Sequence, residues 1–186
     1  MDDGDRRHGA DRGEDLTAVI RRARADEADA LAALGAETFT ATFGRLYSQA
    51  NLDKFLAKNH SPGAYRDLLA DAGTAVWIAE DAGEQVGYAV AGPCTLPVPN
   101  LPPNSGELAR LYLVKAAQGA GLGKRMLETA LEFLRPRYSR IYLSVYRDNL
   151  TALRLYERLG FRKIHDYFYM VGDHADPEFI MELFDG

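Results

Sequence analysis

The period of the hydrophobic pattern changes along the chain, and in the first third it favours helices. Residues 17–24 alternate apolar and polar side chains in part, which predicts a first strand. Asp26 is then a suitable N-cap for a helix over residues 28–39, with Asp29 in its first turn. We predict further helical segments over residues 38–48, 51–58 and 62–71, with breaks between them at Asn51 and at Ser61-Pro62.

From Thr74 onward the pattern shortens to strand-like runs separated by glycine- and proline-rich breaks. Residues 74–80 and 84–92 predict a hairpin connected by Asp81-Ala82-Gly83, and the proline-rich residues 93–103 predict a loop. The remaining predicted elements, in chain order, are a strand (107–114), a helix (121–134) that Pro136 ends, a strand (141–145), a helix (151–159) that Gly160 closes and two strands (161–171 and 179–184).

The order of these elements predicts one α/β domain. A strand, several helices and a β-meander precede β-α-β-α-β-β, an order typical of a mixed sheet with helices on both faces. Residues 1–16 are rich in Asp, Arg and Gly and have almost nothing to bury. We therefore expect a disordered arm over 1–16 and a folded domain over 17–186.

Composition narrows the class of protein. The 186 residues, 47% of them hydrophobic and 26% charged, suffice for one domain with a proper core. Because no stretch resembles a signal peptide or a membrane helix of roughly 20 apolar residues, we expect a soluble cytoplasmic protein without a membrane partner. The net charge of −5 argues against a nucleic-acid partner and mildly favours cationic small substrates. A single cysteine and four histidines without metal-ligand spacing predict neither a disulfide nor a metal site.

A glycine-rich loop, Gln118-Gly119-Ala120-Gly121-Leu122-Gly123-Lys124, links a predicted strand to a predicted helix. Alternating glycines let the backbone turn sharply and approach a ligand closely. The N-terminus of the helix adds unpaired N–H groups and a partial positive charge. These features predict an anion site suited to a pyrophosphate, with Lys124 and Arg125 adding positive charge. The alternative is a glycine-eased turn that binds nothing.

Two other nucleotide-binding motifs fit this loop poorly. A Walker A loop needs Gly at position 118 and Ser or Thr at position 125, where this chain has Gln118 and Arg125. A dinucleotide fingerprint needs glycine where Lys124 stands, and it opens the first βαβ unit of a domain rather than one of the last. A nucleotide-binding oxidoreductase is therefore disfavoured.

Two blocks of sequence, in this order, resemble the GNAT superfamily of N-acetyltransferases. Gln118, Gly121 and Gly123 match the family pattern Arg/Gln-x-x-Gly-x-Gly/Ala, and the preceding ELARLYLV resembles the family's fourth strand. The second block, SVYRDNLTALRLYERLGFRKI, is similar to the family's strand, Asn, Tyr-bearing helix and Gly-Phe pair, with matches at Asn149, Tyr156, Gly160 and Phe161. The resemblance covers residues 17–185. The helical region 38–71 is similar to the branch that contains polyamine (spermidine/spermine) acetyltransferases.

The resemblance implies a fold, a cosubstrate and the residues that hold it. The fold would be a mostly antiparallel sheet of about seven strands with helices on both faces, the cosubstrate would be acetyl-CoA, and relatives include homodimers. Asn149 would bond the pantetheine amide, although Asn also suits a helix N-cap there. The backbone of the fourth strand would bond the pantetheine arm at Leu111, Tyr112 and Leu113. The pyrophosphate would lie on Gln118, Gly119, Ala120, Gly121, Leu122, Gly123 and Lys124.

The resemblance also implies places for the acid and the base. Tyr156 matches a tyrosine that points at the coenzyme A sulfur and protonates the thiolate, although its position on an apolar helical stripe would equally explain a core aromatic. Glu107 matches a position that serves as base in some members, often through water. Glu80, near the end of the second strand, competes for that role, and water alone is a third interpretation. A backbone N–H near Leu113 would stabilise the oxyanion.

Other reactive or aromatic residues receive structural interpretations. Cys94 has no evident partner for nucleophilic chemistry and is expected to be an inert thiol. His165 and His174 are expected to be ordinary polar residues. The aromatics Phe39, Phe43 and Tyr47 recur at helical spacing, which is more typical of a core than of a substrate wall, although the family's acceptor site borders this region.

The sequence thus predicts an acetyl-CoA-dependent N-acetyltransferase. The acetyl group would pass to a primary amine of a small molecule or peptide by direct attack in a ternary complex. The alternative is a non-catalytic acyl-CoA-binding sensor or interaction module, and Tyr156 argues against it because a binder needs no acid for a thiolate. The residues leave open the acceptor, the base, the oligomeric state and the role of the N-terminal arm.

Overall fold

The computed structural model describes residues 17–184, so the predicted arm over 1–16 lies outside the described residues. The strands are β1 (Val19–Arg22), β2 (Ala75–Asp81), β3 (Glu84–Pro93), β4 (Ser105–Leu113), β5 (Arg140–Tyr146), β6 (Phe161–Val171) and β7 (His174–Leu183). The helices are α1 (Ala28–Phe43), α2 (Gln49–Asn59), α3 (Pro62–Ala70), α4 (Leu122–Leu134) and α5 (Leu150–Arg158). None of these five helices has the length and apolar character needed to cross a membrane.

All seven strands belong to one sheet, in the order β1-β2-β3-β4-β5-β7-β6. Each neighbouring pair runs antiparallel except β4 and β5, which run parallel. This confirms the predicted single-domain fold with a mixed, mostly antiparallel sheet. The β2–β3 hairpin is also confirmed, and its two connecting residues, Ala82 and Gly83, both have positive φ, as a tight hairpin turn requires.

The one parallel pair is short. Ser105–Leu108 of β4 pairs with Arg140–Leu143 of β5, and the two strands then separate. Beyond that point β4 stays paired with β3 as far as Leu113, and β5 stays paired with β7 as far as Tyr146. The sheet is therefore open along its middle, between a half formed by β1–β4 and a half formed by β5, β7 and β6.

Helices cover both faces of the sheet, as predicted. The α4 and α5 helices pack on one face, where the apolar stripe of α4 is fully buried against residues such as Trp77 and Leu143. The α1 and α3 helices pack on the other face, against Ile78 and Tyr88. Successive residues of β2 therefore enter opposite cores, which explains its continuous hydrophobic sequence.

The start of α1 differs from the prediction. A short 3-10 turn over Ala25–Glu27 precedes the helix, and Glu27 rather than Asp26 occupies the N-cap position. The Asp26 carboxylate is paired instead with Arg24, at 3.3 Å. The Glu27 side chain makes no cap hydrogen bond. It pairs instead with Arg21, whose Nη1 donates to Glu27 Oε2 at 2.8 Å.

Two further boundaries also differ from the prediction. Asn51 lies inside α2 instead of breaking a helix, because Ser48 caps α2 through a bond from the Asn51 N–H to its Oγ at 3.3 Å. The last strand begins at His174, five residues before the predicted Phe179. Pro177 interrupts the apolar alternation there, so the start of β7 carried no clear strand signal.

A glycine sets the close approach of α1 and α3. A Cβ added to Gly35 would collide with Tyr65 Oη and lie 2.5 Å from His60 Nδ1. Those two buried side chains hydrogen-bond each other at 3.0 Å, and burial lowers the pKa of His60 to about 3, so the imidazole is neutral. The helix contact therefore depends on the absence of a side chain at position 35.

We predict that Gly35→Ala lowers the free energy of unfolding by about 1–3 kcal/mol, because overpacking a filled core forces its neighbours apart. Urea unfolding followed by circular dichroism measures this. Gly63→Ala in α3 is the matched control, since a Cβ there meets nothing nearer than Ser61 Oγ at 3.8 Å. Equal stability of the two variants would contradict the prediction.

Candidate active site

A cavity of about 710 Å³ occupies the opening between β4 and β5. One end, here called the loop half, is lined by the glycine loop and by α5, including Gly119, Gly121, Asn149 and Tyr156. The other end, the aromatic half, lies on the face covered by α1 and α2. Its walls include Phe39, Phe43, Tyr47, Phe55, Tyr167 and Tyr169. The cavity therefore connects the two faces of the sheet through its open middle.

The glycine loop presents its backbone to the loop half of the cavity. Gly119 and Gly121 have φ of +88° and +79°, a conformation that favours glycine, and Gly121 is the N-cap of α4. A Cβ built on either residue would meet no atom within 4 Å. Gln118 steadies the loop by donating from Nε2 to the Leu113 carbonyl at 3.2 Å. An open, backbone-lined surface at the positive end of a helix fits the pyrophosphate that the sequence predicts there.

The side chains of the other loop residues divide between the cavity and the core. Lys124 lines the cavity and lies 3.4 Å from Glu128 one turn along α4. Leu122 is buried in the core and Ala120 is exposed, and neither belongs to the cavity lining. The prediction that Arg125 adds positive charge beside the loop is wrong. Its Nη2 donates to the carbonyl of Ala18, just before β1, at 2.8 Å, and Arg125 does not line the cavity.

The fourth strand and α5 bring the other predicted cosubstrate residues to the same cavity. Leu111, Tyr112 and Leu113 line it along the part of β4 that has left β5. Asn149 is the N-cap of α5, since its Oδ1 accepts from the Ala152 N–H at 3.2 Å. The cap interpretation is confirmed, and the amide nitrogen of Asn149 remains available to the cavity.

Tyr156 lies at the junction of the two halves. The ring is buried and meets Phe161 edge-on, with 5.9 Å between centroids, so the tyrosine belongs to the core and to the cavity lining at once. No group within residues 17–184 hydrogen-bonds its hydroxyl. Burial, followed by the charge of Glu178, raises the pKa of Tyr156, so the phenol holds its proton more tightly than an exposed tyrosine does.

Glu107 lines the cavity but is partly committed to the protein. Its Oε2 accepts from the Thr95 backbone N–H at 2.7 Å and from the Thr95 hydroxyl at 3.1 Å. Burial raises the pKa of Glu107, and these hydrogen bonds partly offset that rise. Cys94 lies beside it, and burial raises the pKa of this thiol to about 11, which agrees with the expected inert thiol.

Glu80 does not belong to this site. It is absent from the cavity lining, and Arg21 donates to it from Nε at 3.0 Å in an ion pair that also includes Glu27. The competing base proposed from the sequence is therefore a structural partner of β1. The sequence could not separate Glu80 from Glu107, because both carboxylates lie near strand ends.

Two carboxylates that sequence reasoning missed line the aromatic half. Asp176 is buried, accepts a hydrogen bond from the Tyr47 hydroxyl and lies 3.2 Å from His174 Nε2. Glu178 has a buried Oε2 with no hydrogen-bond partner in the described part of the chain. The two alternate with Pro177 on β7, and their period-2 spacing next to the Gly172-Asp173 turn was the available signal.

The predicted core aromatics also line this half. Phe39 is buried and stacks on Phe55, with ring centroids 4.4 Å apart, and on Tyr47 at 5.9 Å. Phe43 meets Tyr146 edge-on across the cavity at 5.9 Å. These rings thus serve the core and the cavity wall together, and periodicity alone had indicated only the core.

Comparison with known proteins supports the resemblance seen in the sequence. Residues 17–161 match the profile of the acetyltransferase (GNAT) family. An uncharacterized N-acetyltransferase in the pepI 3'region of Lactobacillus delbrueckii subsp. lactis is 29% identical over 151 residues, which cover 81% of this chain and 87% of that protein. The spermine/spermidine N(1)-acetyltransferase of Bacillus subtilis (strain 168) is 38% identical over 84 residues, covering 43% of this chain and only 54% of the relative.

Solved structures share the fold. The PaiA N-acetyltransferase of Thermoplasma acidophilum in complex with coenzyme A covers 90% of this chain and 99% of its own, with a TM-score of 0.72 at 20% identity. The YncA acetyltransferase of Salmonella typhimurium with acetyl-CoA covers 89% and 92%, with a TM-score of 0.62 at 21% identity. At these identities the likeness concerns the fold alone.

We predict that Gly121→Glu weakens coenzyme A binding by on the order of 10-fold or more. A side chain at this positive φ is strained, and its carboxylate would repel a pyrophosphate at the helix N-terminus. Isothermal calorimetry measures the affinity. Ala116→Glu, which adds the same charge at an exposed position outside the cavity lining, is the control. Wild-type affinity in a folded Gly121→Glu protein would show that the loop does not hold the pyrophosphate.

Proposed function

The chain belongs to the acetyltransferase (GNAT) family and is an N-acetyltransferase with acetyl-CoA as its cosubstrate, and on this premise we propose that it acetylates a primary amine by direct attack in a ternary complex. The acceptor would be a small molecule or a peptide amine. The observation that carries this proposal is the continuous cavity through the opening between β4 and β5. A cosubstrate on the loop half and an amine in the aromatic half can meet there without a covalent enzyme intermediate.

In this proposal the loop half holds the cosubstrate. The backbone N–H groups between Gly119 and Lys124 bind the pyrophosphate, and Lys124 adds a cation. The edge of β4 that has left β5 offers backbone groups to the pantetheine amides at Leu111 and Leu113, and the amide nitrogen of Asn149 adds a donor. This arrangement would leave the thioester beside Tyr156.

The free amine is scarce in water, and the site must supply it. An ordinary lysine-like amine is neutral in only about one molecule in 2,500 at pH 7, which costs roughly 4.6 kcal/mol. By the family resemblance, Glu107 would be the base that removes the ammonium proton of the acceptor, directly or through water. A backbone N–H near Leu113 would stabilise the oxyanion that forms on attack. Tyr156 would then protonate the departing thiolate.

The charges of the aromatic half favour a cationic acceptor. Asp176 and Glu178 bring two carboxylates to walls that are otherwise mostly aromatic, and aromatic faces also attract ammonium groups. Arg110 is a cation in the same lining, and its guanidinium lies over the Tyr65 ring, 5.2 Å from the centroid. One relative that matches over part of its length is a spermine/spermidine N(1)-acetyltransferase. We therefore propose an aliphatic amine, with spermidine as the first acceptor to test.

The first experiment is release of coenzyme A thiol from acetyl-CoA across a panel of amines that includes spermidine, together with calorimetric titration of coenzyme A. We expect tight binding and amine-dependent thiol release. Binding without turnover on any amine would favour the rival function of a non-catalytic acyl-CoA sensor. Failure of folded protein to bind coenzyme A would overturn the proposal.

We predict that Tyr156→Phe lowers kcat by about 10- to 100-fold, since a positioned acid contributes at least this much. Coenzyme A affinity should stay within about 2-fold, because the hydroxyl makes no hydrogen bond within residues 17–184 that the fold would lose. Steady-state kinetics and calorimetry separate the two effects. Tyr146→Phe, which removes another hydroxyl from the cavity wall, is the matched control. Unchanged turnover in Tyr156→Phe would remove this hydroxyl from the mechanism.

A further inference from the structure

Glu178 has one of two carboxylate oxygens of the cavity that are buried without a hydrogen-bond partner among residues 17–184; the other is Asp176 Oδ1, which lies 3.2 Å from His174 Nε2. In the sheet Glu178 pairs with Tyr146 of β5 and Tyr167 of β6, so its side chain projects from the same face as theirs, into the aromatic half. Its Oε2 is buried and has no hydrogen-bond partner in the described chain. Leaving such an oxygen without a hydrogen-bond partner is costly, and more so when the group is charged. The position therefore favours a ligand that donates a hydrogen bond, as an ammonium group does.

Glu178 lines the same cavity as Tyr112 and Tyr156. After burial, its charge is the next cause that raises the pKa values of both Tyr112 and Tyr156. Tyr112 belongs to the part of β4 that borders the opening, and Tyr156 is the proposed acid. A carboxylate that acts electrostatically on both hydroxyls is well placed to reach an amine that approaches the thioester.

Glu107 is the weaker candidate for the same proton. One of its oxygens already accepts two hydrogen bonds from Thr95, which fix the beginning of the loop after β3. Its contacts are those of a carboxylate that holds a loop in place.

The surroundings of Glu178 keep its carboxyl group ready to exchange a proton near neutral pH. Burial, and then the negative charge of Asp176 on the same strand, raise the pKa of Glu178 to about 7, while a hydrogen bond from Ser144 of β5 opposes the rise. Asp176 itself is held by Tyr47 and approached by His174. The other titratable groups that interact with Glu178 are the hydroxyls of Tyr47, Tyr112, Tyr156, Tyr167 and Tyr169.

We propose that Glu178, through Oε2, is the catalytic residue that accepts the proton of the acceptor's ammonium group, an inference that rests on the proposed amine acetylation. The neutral amine then attacks the acetyl carbonyl carbon, a C–N bond forms and the C–S bond breaks. Tyr156 gives its proton to the coenzyme A thiolate. The nitrogen loses a second proton as the amide forms, and this proton restores the Tyr156 phenol. Glu178 releases the first proton to water.

The two proton transfers would assist each other. While Glu178 is ionised, its charge strengthens the hold of Tyr156 on its proton. Once Glu178 has taken the ammonium proton, that charge is gone, and Tyr156 becomes a better donor at the step in which the thiolate forms. The sequence of events therefore supplies the acid when it is needed.

The test compares Glu178→Gln with Glu107→Gln and wild type in kcat/KM for spermidine, measured from pH 6 to pH 9. Because the ionised carboxylate is the active form, wild-type kcat/KM should rise with pH through about 7. Glu178→Gln should lose this limb and on the order of 100-fold in rate at neutral pH, with coenzyme A affinity unchanged. Glu107→Gln should keep the limb.

A weakly basic amine that is already neutral at the assay pH distinguishes a base from a merely structural residue. Its acetylation should suffer far less from Glu178→Gln than that of spermidine, because no ammonium proton has to be removed. Glu178→Asp, which keeps a carboxylate, should retain the pH limb at a reduced rate, and it serves as the test if the Gln variant does not fold.

The outcomes separate the two proposals. An active wild type whose Glu178→Gln variant keeps its rate and its pH limb would overturn the role of Glu178 and leave amine acetylation intact. Loss of the pH limb in Glu107→Gln, together with its retention in Glu178→Gln, would also overturn the role of Glu178. A wild type that binds coenzyme A but acetylates no amine would overturn both proposals.

Discussion

The separation of β4 from β5 is the constraint on which the rest of this structure depends. The two strands run parallel and share a ladder only through Ser105–Leu108 and Arg140–Leu143. Each then stays with its antiparallel neighbour, and the sheet opens while both halves remain hydrogen-bonded. Backbone groups along the freed edge of β4 need partners, since unpaired backbone groups away from water are costly. An extended cosubstrate with its own amides can supply such partners.

The opening also decides where the two faces of the molecule communicate. The glycine loop lies beyond the end of β4 and is fixed by the bond from Gln118 to the Leu113 carbonyl, so the proposed pyrophosphate site lies at one end of the cavity. The aromatic half lies on the opposite face, between the sheet and α1 with α2. Its shape depends on the close contact of α1 with α3 at Gly35, which positions the helix that carries Phe39 and Phe43.

Burial supplies the protonation states that acetyl transfer needs. In the cavity the charged forms of carboxyl and phenol groups are disfavoured, so the pKa of Glu178 rises to about 7, and Tyr156, whose phenol is protonated at neutral pH even in water, holds its proton more tightly. A surface carboxylate, with its ordinary pKa of about 4, would be ionised but would be a much weaker base toward an ammonium proton. Burial thus brings the pKa of the proposed base near neutrality, while it makes the Tyr156 phenol a weaker acid than a surface phenol.

The sequence by itself determined the family, the order of the elements along the chain and the backbone conformation of the glycine loop, because these depend on local signals. Alternating glycines before an amphipathic helix, and Asn149 before a second one, specify backbone conformation over a few residues. The aromatic half is different, since Phe39, Phe55, Tyr167 and Glu178 come from distant parts of the chain. Glu80 and Glu107 were indistinguishable as strand-end carboxylates, and Pro177 masked the strand that carries Asp176 and Glu178. Only the tertiary structure decided which carboxylates share a cavity and which are neutralised by arginine, because burial and pairing are set by contacts between elements and not by local sequence.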